Sequence, residues 1–456
     1  FRKSVAPSAS VLSHKFVAYF SALCGKRHEE NKGDLCKVDR RTRPEFVNEL
    51  LRQDTSSATA AGMRLLFLCH RFPHPPNEGG KIRAFYFLRH LAQTHEVVVA
   101  SLAHSQEELS AGSELKKHCS EVIAEVLPDA ERWRRAALAF AAGKSASLAY
   151  FWSPRLARRI EQAARERPFD AVVVHCAFAA PYWAGVRARF RLLDFCDLDS
   201  GKWFDYSRHR PFPLSAAYGL EARRLRRYER QVAAESHRCL VATQGELDTY
   251  RELGVSVPCK IVPNGVDLAY FRRRERGPAN PPALVFVGKM DYYPNVDAVA
   301  YFVREILPLI RRSAPQTVLH IVGAFPSRQV RQLAEMPGVV VTGRVPDVRS
   351  YLDDAAVAVV PLRIARGIQN KILEAMAVGV PVVTTSQAAR GVEATPGKHF
   401  LSADAPEKFA GQVLELLNNP ARRSELTEAA RKHVETAYAW PRVLDLLDEA
   451  LDSAHT

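Results

Sequence analysis

The sequence predicts an α/β fold made of two doubly wound domains that face a central cleft. Three observations carry that expectation. Short runs such as VVVA at 97–100, AVVV at 171–174, VAVV at 357–360 and VPVV at 380–383 are apolar on both faces, as strands of a covered parallel sheet must be. Amphipathic stretches of helical period separate these runs, so strand and helix alternate along the chain. A proline- and glycine-rich stretch at 277–282 falls near the midpoint, reads as a linker and divides the alternation into two sets.

Composition narrows the class further. The 456 residues are 47% hydrophobic, 25% charged and 9% aromatic, which excludes disordered, collagen-like and coiled-coil chains. The longest apolar stretches, 136–152 and 375–385, are interrupted by Lys144 or by Gly379 and Pro381, so neither reads as a membrane span. A net charge of +14 predicts a surface that attracts anions, with nucleic acid, anionic lipid and phosphorylated small molecules as partner classes. The eight cysteines lack a CxxC pair and any zinc-like His/Cys spacing. Buried free thiols in a reducing cytoplasm, and no metal site, are expected.

Taken in order, residues 1–62 are polar and mixed, with no sustained period beyond a short helix near 44–52. Met63 and Arg64 then lead directly into a strand-like run, so residues 1–62 are expected to be an extension outside the fold, a basic arm being the competing reading. The first domain, 63–270, offers strands at 65–69, 97–102, 171–175, 191–195 and 239–243, with helices at 83–93, 155–165 and 221–234. The second, 271–430, offers strands at 284–288, 318–323, 339–342, 357–361 and 380–384, with a helix at 297–311. A helical region completes the chain at 431–456.

Ligands of such sheets bind beyond the carboxyl ends of the strands, which directs attention to the residues that follow each run. After the first strand, Gly79 and Gly80 open a helix and permit close approach to its amides, although a purely structural glycine loop is the competing reading. His175 ends the third run, placed to donate to substrate oxygens or carry a proton, a polar strand terminus being the alternative. Asp194, Asp197, Asp199 and Lys202 cluster after the fourth; the Asp197/Asp199 pair fits a divalent cation in principle, and a substrate-side polar cluster is favoured. Helix 221–231 carries Arg223, Arg224, Arg226, Arg227 and Arg230, either a solvated face or a patch for anionic lipid headgroups. No aromatic interleaving or recognition motif accompanies it, which argues against nucleic acid.

In the second domain, Gly288-Lys289 ends a strand where a lysine pairs readily with phosphate. After 357–361, Gly367 permits close backbone approach, and a helix beginning near Gln369 points its positive end at the cleft. Glu374, in that helix's second turn, is an ionisable group in an apolar, alanine-rich segment and is placed to accept two hydrogen bonds from a ribose diol. Gly379-Val380-Pro381 stops the helix.

The segments VPNGVDLAYF at 262–271, VGK at 287–289 and KILEAMAVGVPVV at 371–383 resemble the GT-B glycosyltransferases of family 4, and PPNEGG at 75–80 fits that family's glycine-rich acceptor-side loop. DLDSGKW at 197–203, GKMDYYPNVDAV at 288–299 and PLRIARGIQNKILEAMA at 361–377 look more narrowly like sugar transferases associated with bacterial exosortase (PEP-CTERM) exopolysaccharide loci. The resemblance implies a metal-independent, cofactor-free, retaining transfer of a hexose from a nucleotide sugar to a glycan or lipid-linked acceptor. It implies a cytoplasmic enzyme, and peripheral contact with the inner membrane fits the basic helices with Trp133, Phe151 and Trp152, although core packing accounts for these aromatics equally well. His175, Lys289 and Glu374 take the catalytic positions by this likeness. Gly288, Lys289, Arg366, Gly367, Ile368, Gln369, Asn370 and Glu374 fall on the donor side, and Gly79, Gly80, Asp199 and Lys202 on the acceptor side. The helix around Trp440 is expected to cross back to the first domain.

Two positions depart from the family pattern. Arg366 stands where the first glutamate of the E-x7-E motif is usual, and Asn295 stands where a second phosphate-binding base is expected after Lys289. Arg366 fits either a cation for the diphosphate or a reader of an acidic sugar. A nucleotide-sugar epimerase and a catalytically inactive nucleotide-sugar or glycan-binding protein are the alternative functions.

Overall fold

The computed structural model describes residues 62–76, 79–272 and 281–452. All but the last residue of the extension expected at 1–62, and most of the linker expected at 277–282, lie outside the described residues. Two all-parallel sheets form the framework. The first contains β1 (Arg64–Cys69), β2 (Glu96–Ala103), β3 (Glu121–Val126), β4 (Ala171–His175), β5 (Phe190–Cys196), β6 (Arg238–Val241) and β7 (Cys259–Ile261), in spatial order 3-2-1-4-5-6-7. The second contains β8 (Ala283–Val287), β9 (Val318–Val322), β10 (Val339–Gly343), β11 (Ala355–Val360), β12 (Val382–Thr384) and β13 (Leu401–Ser402), in order 10-9-8-11-12-13. Both sheets reverse direction of growth between their first strand and the fourth, at β1/β4 and at β8/β11. These are the switch points where a crevice opens at the carboxyl ends of the strands.

Central strands are buried on both faces because helices cover both. Every residue of β1, β4 and β11 is buried, which is why these runs are apolar without alternation. Leu66, Leu68, Val172 and Val174 face one helical layer with Ile160 and Val232. Leu65, Phe67 and Val173 face the other, with Phe87, Leu88 and Leu91. The three strands that the sequence did not announce, β3, β7 and β13, are all sheet edges. In β3 only Ile123 is fully buried, so its pattern lacks the continuous apolar run.

The helices that matter to the cleft are α1 (Gly79–Thr94), α2 (Asp199–Arg208), α3 (Leu214–Ala234), α4 (Gln244–Arg251), α5 (Tyr293–Tyr301), α6 (Asn370–Val378), α7 (Pro420–Ala437) and α8 (Trp440–Leu451). The helix expected at 297–311 is interrupted: α5 runs into a π-helical turn, Phe302–Ile306, before Leu307–Ser313, next to Pro308, which has no N–H to donate. The domain boundary expected at 431 falls inside α7, whose helical pattern continues to Ala437. The chain changes domain at Val266, whose N–H donates to Tyr438 O at 2.7 Å. Beyond it, α8 returns to the first domain, with Trp440, Val443 and Leu447 in the core beside Phe87. Trp440 stacks on Tyr86 with ring centroids 4.2 Å apart.

Candidate active site

The carboxyl ends of β1 and β4 meet those of β8 and β11 across the cleft, and the chemistry-bearing residues gather there. On the first-domain side, His175 ends β4 and is 3% exposed. Its Nδ1 lies 2.8 Å from Asp194 Oδ2. Asp194 on β5 is held from the opposite side by Arg83 of α1, whose Nε and Nη2 each donate at 2.8 Å to one carboxylate oxygen. Burial alone would raise the Asp194 carboxyl, yet the Arg83 charge and hydrogen bonds, with His175, hold it well below the usual carboxylate range. An ionised Asp194 only accepts, so the proton stays on His175 Nδ1 and Nε2 is presented to the cleft. An added Cβ on Gly80 would lie 3.9 Å from that Nε2, and one on Gly79 would lie 3.5 Å from Asn370 Nδ2. The glycine pair thus sits between His175 and the second domain's α6.

Arg83 does more than hold Asp194. Its Nη1 donates to Val262 O at 2.8 Å and Pro263 O at 2.9 Å, and lies 3.3 Å from Asn264 Oδ1. Asn264 Nδ2 donates in turn to Asn370 Oδ1 at 3.2 Å. One fully buried cation therefore ties the candidate histidine to the NGVD segment and on to the start of α6. Next to this chain, Cys176 (φ +71°) and Cys196 (φ +60°) occupy the left-handed region at the ends of β4 and β5. Such strained backbone is characteristic of functional strand ends.

Asp197, Asp199 and Lys202 form a compact group: Lys202 Nζ lies 3.1 Å from Asp197 Oδ2 and 3.3 Å from Asp199 Oδ1. Burial would lower the Lys202 ammonium, but the two aspartates raise it well above its ordinary value. Two buried glutamates brace the start of α2. Glu246 accepts from Leu198 N at 2.8 Å, and Glu229 accepts from Ser200 N at 2.9 Å. Burial, with the Asp197 charge, pushes Glu246 up to about 7, and burial pushes Glu229 up to about 8.

On the second-domain side, α6 begins at Asn370 with Gln369 at its cap, and Gln369 makes no side-chain capping bond. Of its first-turn amides, that of Ile372 donates to Gln369 O at 2.9 Å, and those of Asn370 and Lys371 lie at the positive helix end. Gly379 closes the helix in the left-handed conformation, φ +83°. Glu374 and Lys371 lie one turn apart on its cleft side, without an ion pair between them. Burial pushes Glu374 up to about 7 and Lys371 down to about 7, each partly offset by the other's charge. Lys289 follows β8 with its Nζ 5.6 Å from the centre of the Phe325 ring, and Arg344 flanks the same ring at 5.1 Å.

The loop 362–369 meets the first domain directly. Gly367 (φ +60°) passes so close to Asp197 that an added Cβ would lie 2.2 Å from Oδ1, a position only glycine fills. Arg366 reaches across the cleft. Its Nε bonds Asp205 Oδ2 and its Nη1 lies 3.6 Å from Glu246 Oε1. Gly201 makes room, since a Cβ there would lie 2.1 Å from Arg366 Nη1. Tyr292 completes the contact by hydrogen bonding to Tyr206. Arg366 is thus occupied by first-domain carboxylates, and Asp199 and Lys202 belong to the same interdomain group.

The structure joins Gly79 to Asn370, Gly367 to Asp197, and Arg366 to Asp205 and Glu246 across the domains, with Gly80 beside His175, Asp199 paired with Lys202, and Gly288 against Lys371; Lys289, Ile368, Gln369 and Glu374 lie on the second-domain side. It adds Arg83, Asp205, Glu246 and Lys371, which the sequence did not single out. A lone lysine on the apolar α6 was the one signal available for Lys371. Trp133 and Phe151 are core residues, and Trp152 stacks on Tyr182 at 4.8 Å, so none of the three is a membrane-facing aromatic.

Comparison with known proteins agrees with this geometry. Residues 78–270 match the model of glycosyltransferase family 4 and residues 281–419 that of glycosyl transferases group 1. The D-inositol 3-phosphate glycosyltransferase of Nocardiopsis dassonvillei is 27% identical over 251 residues, 49% of this chain and 57% of that protein. The match thus spans little more than half the length of that relative. Among solved structures, sucrose-phosphate synthase from Thermosynechococcus elongatus aligns with a TM-score of 0.66 at 14% identity, covering 86% of this chain and 99% of that one. Anabaena HepE in complex with UDP aligns with a TM-score of 0.61 at 14% identity, covering 86% and 100%. These likenesses show the GT-B fold, two Rossmann-like domains around a cleft. With one family module over each domain, the chain belongs to the family 4, group 1 glycosyltransferases.

Proposed function

We propose that the protein is a retaining hexosyltransferase that moves a sugar from a nucleotide-diphosphate donor to a glycan or lipid-linked acceptor in exopolysaccharide synthesis, within an exosortase-associated locus. The observation that carries the reading is the convergence of Glu374, Lys289 and the open end of α6 on the β8/β11 switch point, opposite His175. HepE is known in complexes with UDP and UDP-glucose, which makes UDP-sugars the first donors to test. In this scheme Glu374 accepts from the ribose diol. Lys289 and the first-turn amides of α6 meet the diphosphate as its bond to the sugar C1 breaks. His175 Nε2 meets the sugar. The acceptor oxygen attacks on the face the diphosphate leaves, and its proton passes to the departing phosphate oxygen. Retention by this route is supported by two carboxylates beside the cleft, Asp205 and Glu246, being engaged with Arg366 rather than free to act as nucleophiles. Positive groups from the chain itself support a metal-independent reaction.

The test is donor binding. Glu374→Ala removes two charge-assisted hydrogen bonds and is expected to weaken UDP about 10²-fold, read by calorimetry and by loss of the UDP-induced rise in unfolding temperature. Unchanged affinity would remove the donor site from α6. Because Arg366 is tied to the first domain, no acid at that position grips the donor sugar, and this favours one second reading, a nucleotide-sugar binder without turnover. Tight UDP-sugar binding with no product across acceptors would select it.

A cytoplasmic location at the inner face of the bacterial inner membrane completes the proposal. No helix among the described residues is long and apolar enough to cross a membrane. Phe212 is 83% exposed and Leu220 is partly exposed, with exposed Arg223, Arg227 and Arg230 along one face of α3. Apolar residues beside a cationic stripe suit an anionic bilayer surface. Arg210, two residues before Phe212, stacks 4.6 Å from the Tyr293 ring of the second domain, which places this edge at the cleft mouth. Flotation with phosphatidylglycerol vesicles is expected to recover wild-type protein and to lose about tenfold with Phe212→Asp combined with Arg227→Glu. Equal recovery with phosphatidylcholine vesicles would overturn membrane contact of this kind.

A further inference from the structure

We infer that Lys371 is a diphosphate-binding residue, a second cation of the donor site that α6 supplies in place of the loop after β8. The inference rests on the donor reading above and adds to it a residue that neither motif nor likeness assigned. Lys371 is the second residue of α6, and its Nζ donates to Asn295 Oδ1 at 2.6 Å. A Cβ added to Gly288 would lie 3.2 Å from that Nζ and 2.8 Å from Asn295 Nδ2. The ammonium therefore sits against the Gly288-Lys289 turn, on the cleft side of the sheet and at the positive end of the helix. Asn295 is committed in both directions, since its Nδ2 also donates to Lys289 O at 2.9 Å. It brings no charge of its own and serves to hold two lysines at one place.

The local chemistry of Lys371 is that of a cation short of partners. Among the described residues no carboxylate lies within ion-pair distance of Nζ. Among the described residues it faces Asn295, Gly288, Glu374 one turn along the helix, and the Phe286 ring, whose centre is 4.4 Å away. Of three ammonium donors, one is used. Burial pushes this lysine down to about 7, which reflects a charge held without compensation. A diphosphate arriving at the open end of α6 supplies acceptors for the two remaining N–H groups, and its negative charge offsets that cost. A compact ammonium on an aromatic face fits the space between Phe286 and Asn295, where a planar guanidinium would not pack in the same way.

The test compares nucleotides that differ by one phosphate. UDP and UMP binding, and GDP and GMP in parallel, are measured by calorimetry on the wild type and on Lys371→Met, with unfolding temperature followed for both proteins. The expected result is a 10- to 100-fold loss of affinity for the diphosphate and less than a threefold loss for the monophosphate. Adding Asn295→Lys to Lys371→Met returns a cation to the same place from α5, and is expected to recover most of the lost diphosphate affinity. A Lys371→Met protein that binds UDP as the wild type does overturns the role of the lysine while leaving the donor site standing. Equal losses for UDP and UMP, with no rescue by Asn295→Lys, assign Lys371 to holding α6 in place and overturn the inference. Wild-type protein that binds none of the four nucleotides overturns the donor reading and this inference with it.

Discussion

Replacing Asp194 by alanine is expected to destabilise the first domain by about 3–5 kcal/mol, because it leaves the Arg83 guanidinium buried without a counter-charge. Arg83 and Asp194 are both 0% exposed, and their bidentate pair is the only carboxylate contact Arg83 makes among the described residues. The remaining guanidinium contacts are carbonyl and amide oxygens at Val262, Pro263 and Asn264, which satisfy hydrogen bonds but not charge. Urea unfolding followed by tryptophan fluorescence measures the loss, compared as midpoints because two domains need not unfold together. Function separates from stability when two further variants are compared. Asp194→Asn keeps the shape but no longer fixes the proton on His175 Nδ1 and also strips Arg83 of its counter-charge, so turnover is expected to fall about 10²-fold together with a lowered midpoint. Arg83→Met with Asp194→Leu removes both charges, and is expected to recover most of the stability lost in the alanine variant but none of the turnover. An alanine variant within about 0.5 kcal/mol of wild type, or full turnover by Asp194→Asn, would sink the account.

That chain of contacts also marks where sequence reasoning stops. The strands legible in advance are those buried on both faces, such as Ala171–His175 and Ala355–Val360, since burial from two sides imposes an unbroken apolar run. Edge strands are covered on fewer sides, and in Glu121–Val126 five of the six positions are exposed or half-buried, which disguises it. The site follows the same division. Gly288, Gly367, Glu374 and His175 were legible because the ends of strands and the starts of helices are fixed by local pattern. Arg83 was not, because an arginine in an amphipathic helix reads as solvent-facing until its partner, 111 residues away, is known. Lys371 hid for a related reason: its neighbour Asn295 lies 76 residues earlier and on another element. Asp205 and Glu246 carry no local signature at all, since their meaning depends on a side chain from the other domain.

That dependence decides what Arg366 does, and a charge reversal there is expected to be the most damaging change at the domain interface. Motif resemblance alone treats Arg366→Glu as a repair, because a glutamate is usual at that position. The structure predicts the opposite. Arg366 is held by Asp205 and Glu246, with Asp197 nearby, and Gly201 has given up a side chain to admit the guanidinium. Burial would lower the arginine's affinity for its proton, yet Asp205 and Glu246 raise it above the ordinary value, so the charge is stabilised by its surroundings. A glutamate would set a fourth carboxylate against these three, while Lys202 is already shared between Asp197 and Asp199 and the largely exposed Arg208 reaches Asp205 only at 3.6 Å. Because Arg366 and Asp205 are each about a quarter exposed, screening limits the thermodynamic loss to about 1–2 kcal/mol. The functional loss is larger, since Gly367 and the start of α6 are positioned through the same loop: turnover is expected to fall about 10²- to 10³-fold. Arg366→Glu combined with Asp205→Asn and Glu246→Gln removes the repulsion and is expected to regain part of that activity. If the single reversal matches or exceeds wild-type turnover with a UDP-sugar, the first-domain carboxylates do not compensate for Arg366, and the position is free to carry the family's glutamate.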